Sequence, residues 1–193
     1  KVALSIENAL KYRQAESSAT TDYLTGLPNA RSLFLHLDAE LARSRRTGSP
    51  LAVLVGDLNG FKRVNDRLGH LEGNRLLQRV ARALREQCRD YDYIARMGGD
   101  EFVAVLPGLQ PEAVLAKAAK LCEAVEREGK SARMGEALTM SLGEAHYPAD
   151  GGDAEQLLAE ADRRMYQEKQ THRKRRETAS IAWSSGLPTP ALQ

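Results

Sequence analysis

The chain has 193 residues, 42% of them hydrophobic, enough for the core of one domain with flanking sequence to spare. Charged residues make up 28%, yet the formal net charge is only +2, which excludes the broad basic field of a nucleic-acid polymer binder or an anionic-membrane binder and leaves any basic function local. Cys88 and Cys122 stand in apparent helices, no Cys or His cluster has metal-ligand spacing, and no apolar run approaches the roughly 20 residues of a membrane span, so a reducing, cytoplasmic setting is expected.

"KVALSIENALKYRQAESSATT" places Val2, Ile6, Ala9 and Leu10 on one helical face, so residues 1–20 read as a connecting helix. Its apolar stripe is too short to specify a coiled coil, and packing on its own domain is an equal reading. "DYLTGLPN" is turn chemistry. Asn29 can cap a helix from Ala30 to about Thr47, with Leu33, Leu37 and Leu41 four apart. "LAVLVGD" is a short apolar run ending in an acid, as expected of a buried strand that delivers Asp57 to a sheet edge. Residues 61–89 are helical in pattern, interrupted at "LGHLEGN", with Leu76, Leu77, Val80 and Leu84 on the buried side. Strands over 93–97 and 102–106 flank Gly98 and Gly99. Pro111 opens a helix carrying Val114, Ala118, Leu121 and Val125, and "LTMSLGEAHY" reads as a further strand. Asp153, with Gln156 three later, caps a last helix whose Leu157, Leu158, Ala161 and Met165 face inward. From "RKRR" onward the pattern fails, and residues 175–193 read as a flexible tail or a segment that docks elsewhere.

The order strand, helices, strand, strand, helix, strand, helix predicts an α/β fold, one mixed sheet with helices packed against it. If the runs around Gly98 and Gly99 pair as a hairpin, Asp100 and Glu101 stand at its apex near the end of the strand carrying Asp57. Three carboxylates converging there would repel unless a cation neutralised them, and hard oxygen ligands favour Mg²⁺ held together with substrate phosphates. A solvated acidic tip is the plain alternative for an arbitrary "GGDE".

The neighbouring residues decide between these. "DYLTGLPN", "GDLNGFKRVNDRLGH", "ARMGGDEF" and "ADRRMYQEK", in this order and spacing, resemble the GGDEF family of diguanylate cyclases over residues 21–174. The resemblance implies a central, mostly antiparallel sheet akin to nucleotide cyclases and polymerase palms, preceded by a linker helix. It also implies condensation of two GTP molecules to cyclic di-GMP with release of pyrophosphate. Each domain binds one GTP, so a homodimer follows, controlled through the N-terminal helix by a sensor domain upstream of this fragment. The family pattern places Mg²⁺, with Mn²⁺ as an alternative, on Asp57, the Leu58 carbonyl and Asp100, and ties Glu101 most directly to catalysis. Gly98 and Gly99 leave room for the nucleotide against bare backbone. Gly60, Phe61 and Lys62 match the turn whose amides hold terminal phosphates, and Lys169 and Arg173 match a cationic phosphate clamp. Asn65 matches a guanine-contacting position. His70 carries no chemical role in this pattern and reads as a packed structural histidine.

Two positions depart from the family. Arg31 stands one residue later than the usual "LTGLxNR" spacing, behind Ala30, which puts any salt bridge from it in doubt. Asn74, in "GHLEGN", replaces the Asp expected to accept from the guanine N1–H and exocyclic amine. An amide offers one acceptor and one donor group where guanine presents two donors, whereas adenine presents an acceptor beside a donor. Relaxed purine specificity, with GTP still favoured, is the resulting alternative. Arg89 and Asp92 match the register of the family's product-inhibition site, where Arg can bind guanine or phosphate and Asp can accept from the guanine edge. A non-catalytic cyclic di-GMP receptor acting through those two residues is the rival from another class, and the intact Asp57, Asp100 and Glu101 set argues for the enzyme.

Overall fold

The computed structural model describes residues 20–131 and 138–184, with side chains described over 20–130 and 138–174. Among these residues five helices and four strands follow one another: α1 (Ala30–Thr47), β1 (Leu51–Asn59), α2 (Phe61–Leu68), α3 (His70–Glu86), β2 (Tyr93–Gly98), β3 (Glu101–Pro107), α4 (Pro111–Ser131), β4 (Thr139–Tyr147) and α5 (Ala154–Ser184). The sheet order is β2-β3-β1-β4, and every neighbouring pair runs antiparallel. The sheet is therefore antiparallel throughout among the described residues, with no parallel pair to make it mixed.

Local chemistry accounts for the element boundaries. The Asn29 side chain accepts from the Ser32 N–H at 3.1 Å, and Gly48 closes α1 in the left-handed conformation. Only Gly69 separates α2 from α3, so the predicted interruption shrinks to a single residue and His70 already opens the second helix. Asp153 caps α5 through the Gln156 N–H at 2.8 Å, and Gln156 reaches back to the Gly152 N–H at 2.9 Å.

Strand alternation divides the core into two. Ala52, Leu54 and Leu58 of β1 pack with Phe61 and Val64 of α2, the apolar face of α3, and Val114, Leu121 and Val125 of α4. Leu51, Val53 and Val55 point the other way, onto Leu33, Leu37 and Leu41 of α1 and Leu157, Ala161 and Met165 of α5. A Cβ on Gly143 of β4 would lie 2.0 Å from the Ala161 carbonyl oxygen and 2.2 Å from the Met165 nitrogen, so its bare backbone is what lets α5 lie directly on the sheet.

Two expectations change. Helix α5 continues to Ser184, ten residues beyond the point where the apolar pattern ends. Arg, Glu and Ala along that stretch carry helical propensity. Cys88 lies just past the end of α3 rather than inside a helix, while Cys122 sits in α4. Both thiols are free, and burial, with Glu168 next, pushes Cys122 up to about 11. The linker helix over residues 1–19 and the end of the tail, 185–193, lie outside the described residues. No helix among the described residues is long and apolar enough to cross a membrane.

Candidate active site

Asp57 and Glu101 are directly opposed in the β1–β3 ladder, so both side chains leave the sheet on the α1/α5 face. The Leu58 N–H donates to the Asp100 carbonyl at 3.2 Å, which fixes the hairpin tip against the end of β1. Gly98 and Gly99 make that tip with φ of +154° and +50°, conformations that suit glycine. A Cβ at either would meet no atom within 4 Å. The turn therefore needs these glycines for its backbone, and the space in front of them is open for a ligand.

The carboxylates are crowded. Burial, then the Asp57 charge, raises the Asp100 carboxyl above its ordinary value. Glu101 is raised by burial and by the charges of Asp57, Asp100 and Asp162, in that order. Asp57 is only 6% exposed. Lys169 Nζ stands 2.7 Å from its Oδ1 but outside hydrogen-bonding directions, so that buried oxygen is charge-compensated while lacking a donor. Among the described residues no three His, Cys, Asp or Glu side chains close into a ready metal cage. A donorless buried carboxylate oxygen beside a second carboxylate fits a hard divalent cation that takes one or two protein carboxylates and completes its shell with phosphate and water.

Beside them opens a cleft of ≈ 470 Å³, lined by Leu58, Gly60, Phe61, Lys62, Asp100, Lys169 and Arg173 among others. The phosphate-binding candidates from two distant stretches of sequence thus share one cavity, with Asp100 on its wall. Close seating of α5 on Gly143 brings Lys169 within reach of Asp57.

Asn65 and Asn74 do not line that cleft. They form a second corner between α2 and α3: a Cβ on Gly73 would sit 1.8 Å from Asn65 Oδ1, so the Asn65 amide lies on bare backbone one residue from Asn74. Asn74 is exposed. His70 is exposed as well, which overturns its reading as a packed structural histidine; as the first residue of α3 it points out from the helix start. Arg31 is exposed, and no ion pair from it occurs among the described residues.

Arg89 and Asp92 are paired with each other. Arg89 Nε and Nη2 donate to Asp92 Oδ1 at 2.9 and 2.6 Å, and Arg89 N and Lys117 Nζ donate to Oδ2 at 3.0 and 2.7 Å. Burial pushes Asp92 up, but the bonds from Arg89 and Lys117 outweigh it and hold the carboxyl below its ordinary value. The Asp92 side chain has no exposed surface, whereas that of Arg89 is 33% exposed and lies over the Tyr91 ring at 4.4 Å. Of the pair, Arg89 is the member presented to a ligand.

Sequence reasoning missed Asp22, Arg96 and Lys117. Arg96 is buried in β2 and joins the turn before α1 to the glycine turn, donating to Asp22 Oδ1 at 2.8 Å and to the Gly99 carbonyl. Burial raises Asp22, but the Thr25 hydroxyl and Arg96 outweigh it and hold the carboxyl low. A lone arginine inside the short apolar run "YIARMG" was the available signal.

The family described as diguanylate cyclase, GGDEF domain, matches residues 19–175. Diguanylate cyclase DgcP of Pseudomonas aeruginosa is 38% identical over 162 residues, covering 83% of this chain and 24% of its own length. The chain spans between about a fifth and a third of the curated relatives it matches. A sensory box/GGDEF family protein of Caulobacter crescentus CB15 superposes with a TM-score of 0.70 at 38% identity, over 79% of this chain and 99% of that one. The coiled coil and GGDEF domain of DgcB from Caulobacter crescentus, in complex with c-di-GMP, superposes with a TM-score of 0.73 at 26% identity, over 88% of this chain and 91% of that one.

Proposed function

We propose, for a chain that belongs to the GGDEF family of diguanylate cyclases, the condensation of two GTP molecules to cyclic di-GMP with release of pyrophosphate. The observation that carries this reading is the opposition of Asp57 and Glu101 on one face, next to Asp100 and a cationic cleft. Lys62, Lys169 and Arg173 balance the triphosphate charge, and the amides at the start of α2 receive its terminal oxygens. Asp57, the Leu58 carbonyl and Asp100 would hold Mg²⁺, or Mn²⁺ in its place. An ion held by these groups would supply charge neutralisation at the phosphates and polarisation of the reacting oxygens. Glu101, raised by burial and by its acidic neighbours, is suited to take the proton of the attacking 3′-hydroxyl. As that oxygen bonds to the α-phosphorus of the second nucleotide, pyrophosphate leaves with the electrons of the broken P–O bond. Asn65 and Asn74 orient the base. Because one domain supplies one nucleotide, two copies face each other, and Arg89 offers the accumulated product a contact that slows synthesis.

Pyrophosphate release and the masses of the nucleotide products, measured at protein concentrations that permit dimers, test this reading. Wild type should yield cyclic di-GMP, and Glu101→Gln should bind GTP without turnover. Binding of cyclic di-GMP with no pyrophosphate from wild type would overturn it in favour of a receptor.

A further inference from the structure

His172 completes a face of α5 that Lys169 and Arg173 use only in part. Residues 169, 172 and 173 stand at i, i+3 and i+4, so their side chains leave the helix in one direction. All three line the ≈ 470 Å³ cleft, together with Lys62, Arg63 and Asp100. Glu168 is anchored from the sheet: its Oε2 accepts from the Leu142 N–H at 2.6 Å, while its Oε1 stands 3.9 Å from His172 Nε2. That spacing is too long for a hydrogen bond. The other charged residues lining the cleft are Lys169 and Arg173 on the same helix, Lys62 and Arg63 from α2, and Asp100 from the hairpin. A bound triphosphate brings several negative charges into the same space, and an imidazolium is the form of the ring that can donate to them from both nitrogens.

Building on the nucleoside-triphosphate reading of this cleft, we propose that His172 takes up a proton from solvent as the triphosphate binds and donates from its imidazolium to the terminal phosphate oxygens. It is then a further cationic contact beside Lys62, Lys169 and Arg173, and it gives up the proton when pyrophosphate departs. By linkage, affinity for the triphosphate tightens as pH falls.

The test is a pH series from 8 to 6 on the full chain, using inorganic triphosphate and a non-hydrolysable guanosine triphosphate analogue as probes. The His172 ring resonance, assigned by its loss in His172→Gln, should titrate at higher pH when inorganic triphosphate is present. Wild-type affinity for either probe should tighten by about threefold to tenfold more than that of His172→Gln over this range, the ligand's own titration being common to both proteins. His172→Arg should bind tightly with no such extra dependence. Equal pH dependence in wild type and His172→Gln, or a ring unmoved by saturating triphosphate, overturns the proposal. Inorganic triphosphate involves no nucleotide chemistry, so the two readings separate. A ring that moves in a protein making no cyclic dinucleotide overturns the cyclase reading and keeps His172. An unmoved ring in an active cyclase overturns His172 alone, and failure to bind triphosphate overturns both.

Discussion

Arg96 donates to the Gly99 carbonyl through Nε at 3.0 Å and Nη2 at 2.6 Å, clamping the glycine turn from inside the sheet. Its third nitrogen reaches Asp22, in the turn before α1. Arg96→Ala leaves Asp22 without its cation and the Gly99 carbonyl without its donors, and should cost about 3 kcal/mol in urea unfolding, with a larger proportional loss in turnover than in GTP affinity. Arg96→Lys should recover only part of both, because an ammonium cannot span the two partners as a guanidinium does.

Asp100 trades stability for function. Its folded carboxyl is raised by burial and by Asp57. A group raised in this way binds protons more readily folded than unfolded, so its cost sets in as pH rises through the ordinary range near 4 and is complete above the folded value. At pH 7 Asp100→Asn should therefore stabilise the chain by up to about 1 kcal/mol, or roughly 2–4 °C in Tm, once solvent screening is allowed for. Mg²⁺ should raise the Tm of wild type, and the same change should abolish that rise. Thermal unfolding with and without the ion reads both effects.

Lys169 compensates a buried oxygen that has no donor, 2.7 Å away on Asp57. Lys169→Met should raise KM for GTP about tenfold through the lost phosphate contact and lower stability at pH 7. Added Mg²⁺ should restore part of that stability, since a cation on Asp57 replaces the missing charge.

The Asp92 cluster should show the opposite pH behaviour to Asp100. Its carboxyl is held low, so its contribution is complete above the ordinary carboxylate value and is lost as pH falls through the lower folded one. Lys117→Met should cost about 1–3 kcal/mol at pH 7, and the gap from wild type should narrow as acid unfolding is followed below about pH 4. Arg89→Ala should relieve inhibition by added cyclic di-GMP, read from initial rates, because Arg89 is the exposed member of the pair.

Asn74 is exposed at the corner shared with Asn65. With GTP and ATP together, Asn74→Asp should lower the proportion of adenine-containing product by about tenfold, in line with one bidentate base contact, as mass analysis of the mixture will show.

Helix faces and strands were legible in the residues because burial follows periodicity. Leu33, Leu37 and Leu41 could only form one stripe, and "LAVLVGD" could only be a strand covered on both sides. The site was legible in a different way: Asp57, Asp100, Glu101, Lys62, Lys169 and Arg173 were named from motif order, and pairing register together with α5 packing explains their convergence. Asp22, Arg96 and Lys117 escaped because an ion pair between residues far apart in sequence leaves no local pattern. His70 was misjudged because nothing in "LGHLEG" says which side of a new helix start faces solvent.

By itself, then, the sequence determined what local stereochemistry and alternation can encode: the caps, the two-faced strands, the glycine turn and the family to which the four motifs point. Tertiary structure alone decided which charges meet. That Lys169 would face Asp57, that Arg96 would hold Gly99, that Asp92 would be enclosed by two cations and that His172 would share a cleft with Lys62 and Arg173 all depend on how closely helices settle on the sheet. Electrostatic partners are chosen by distance in space, and the spacing of residues along the chain does not carry that distance.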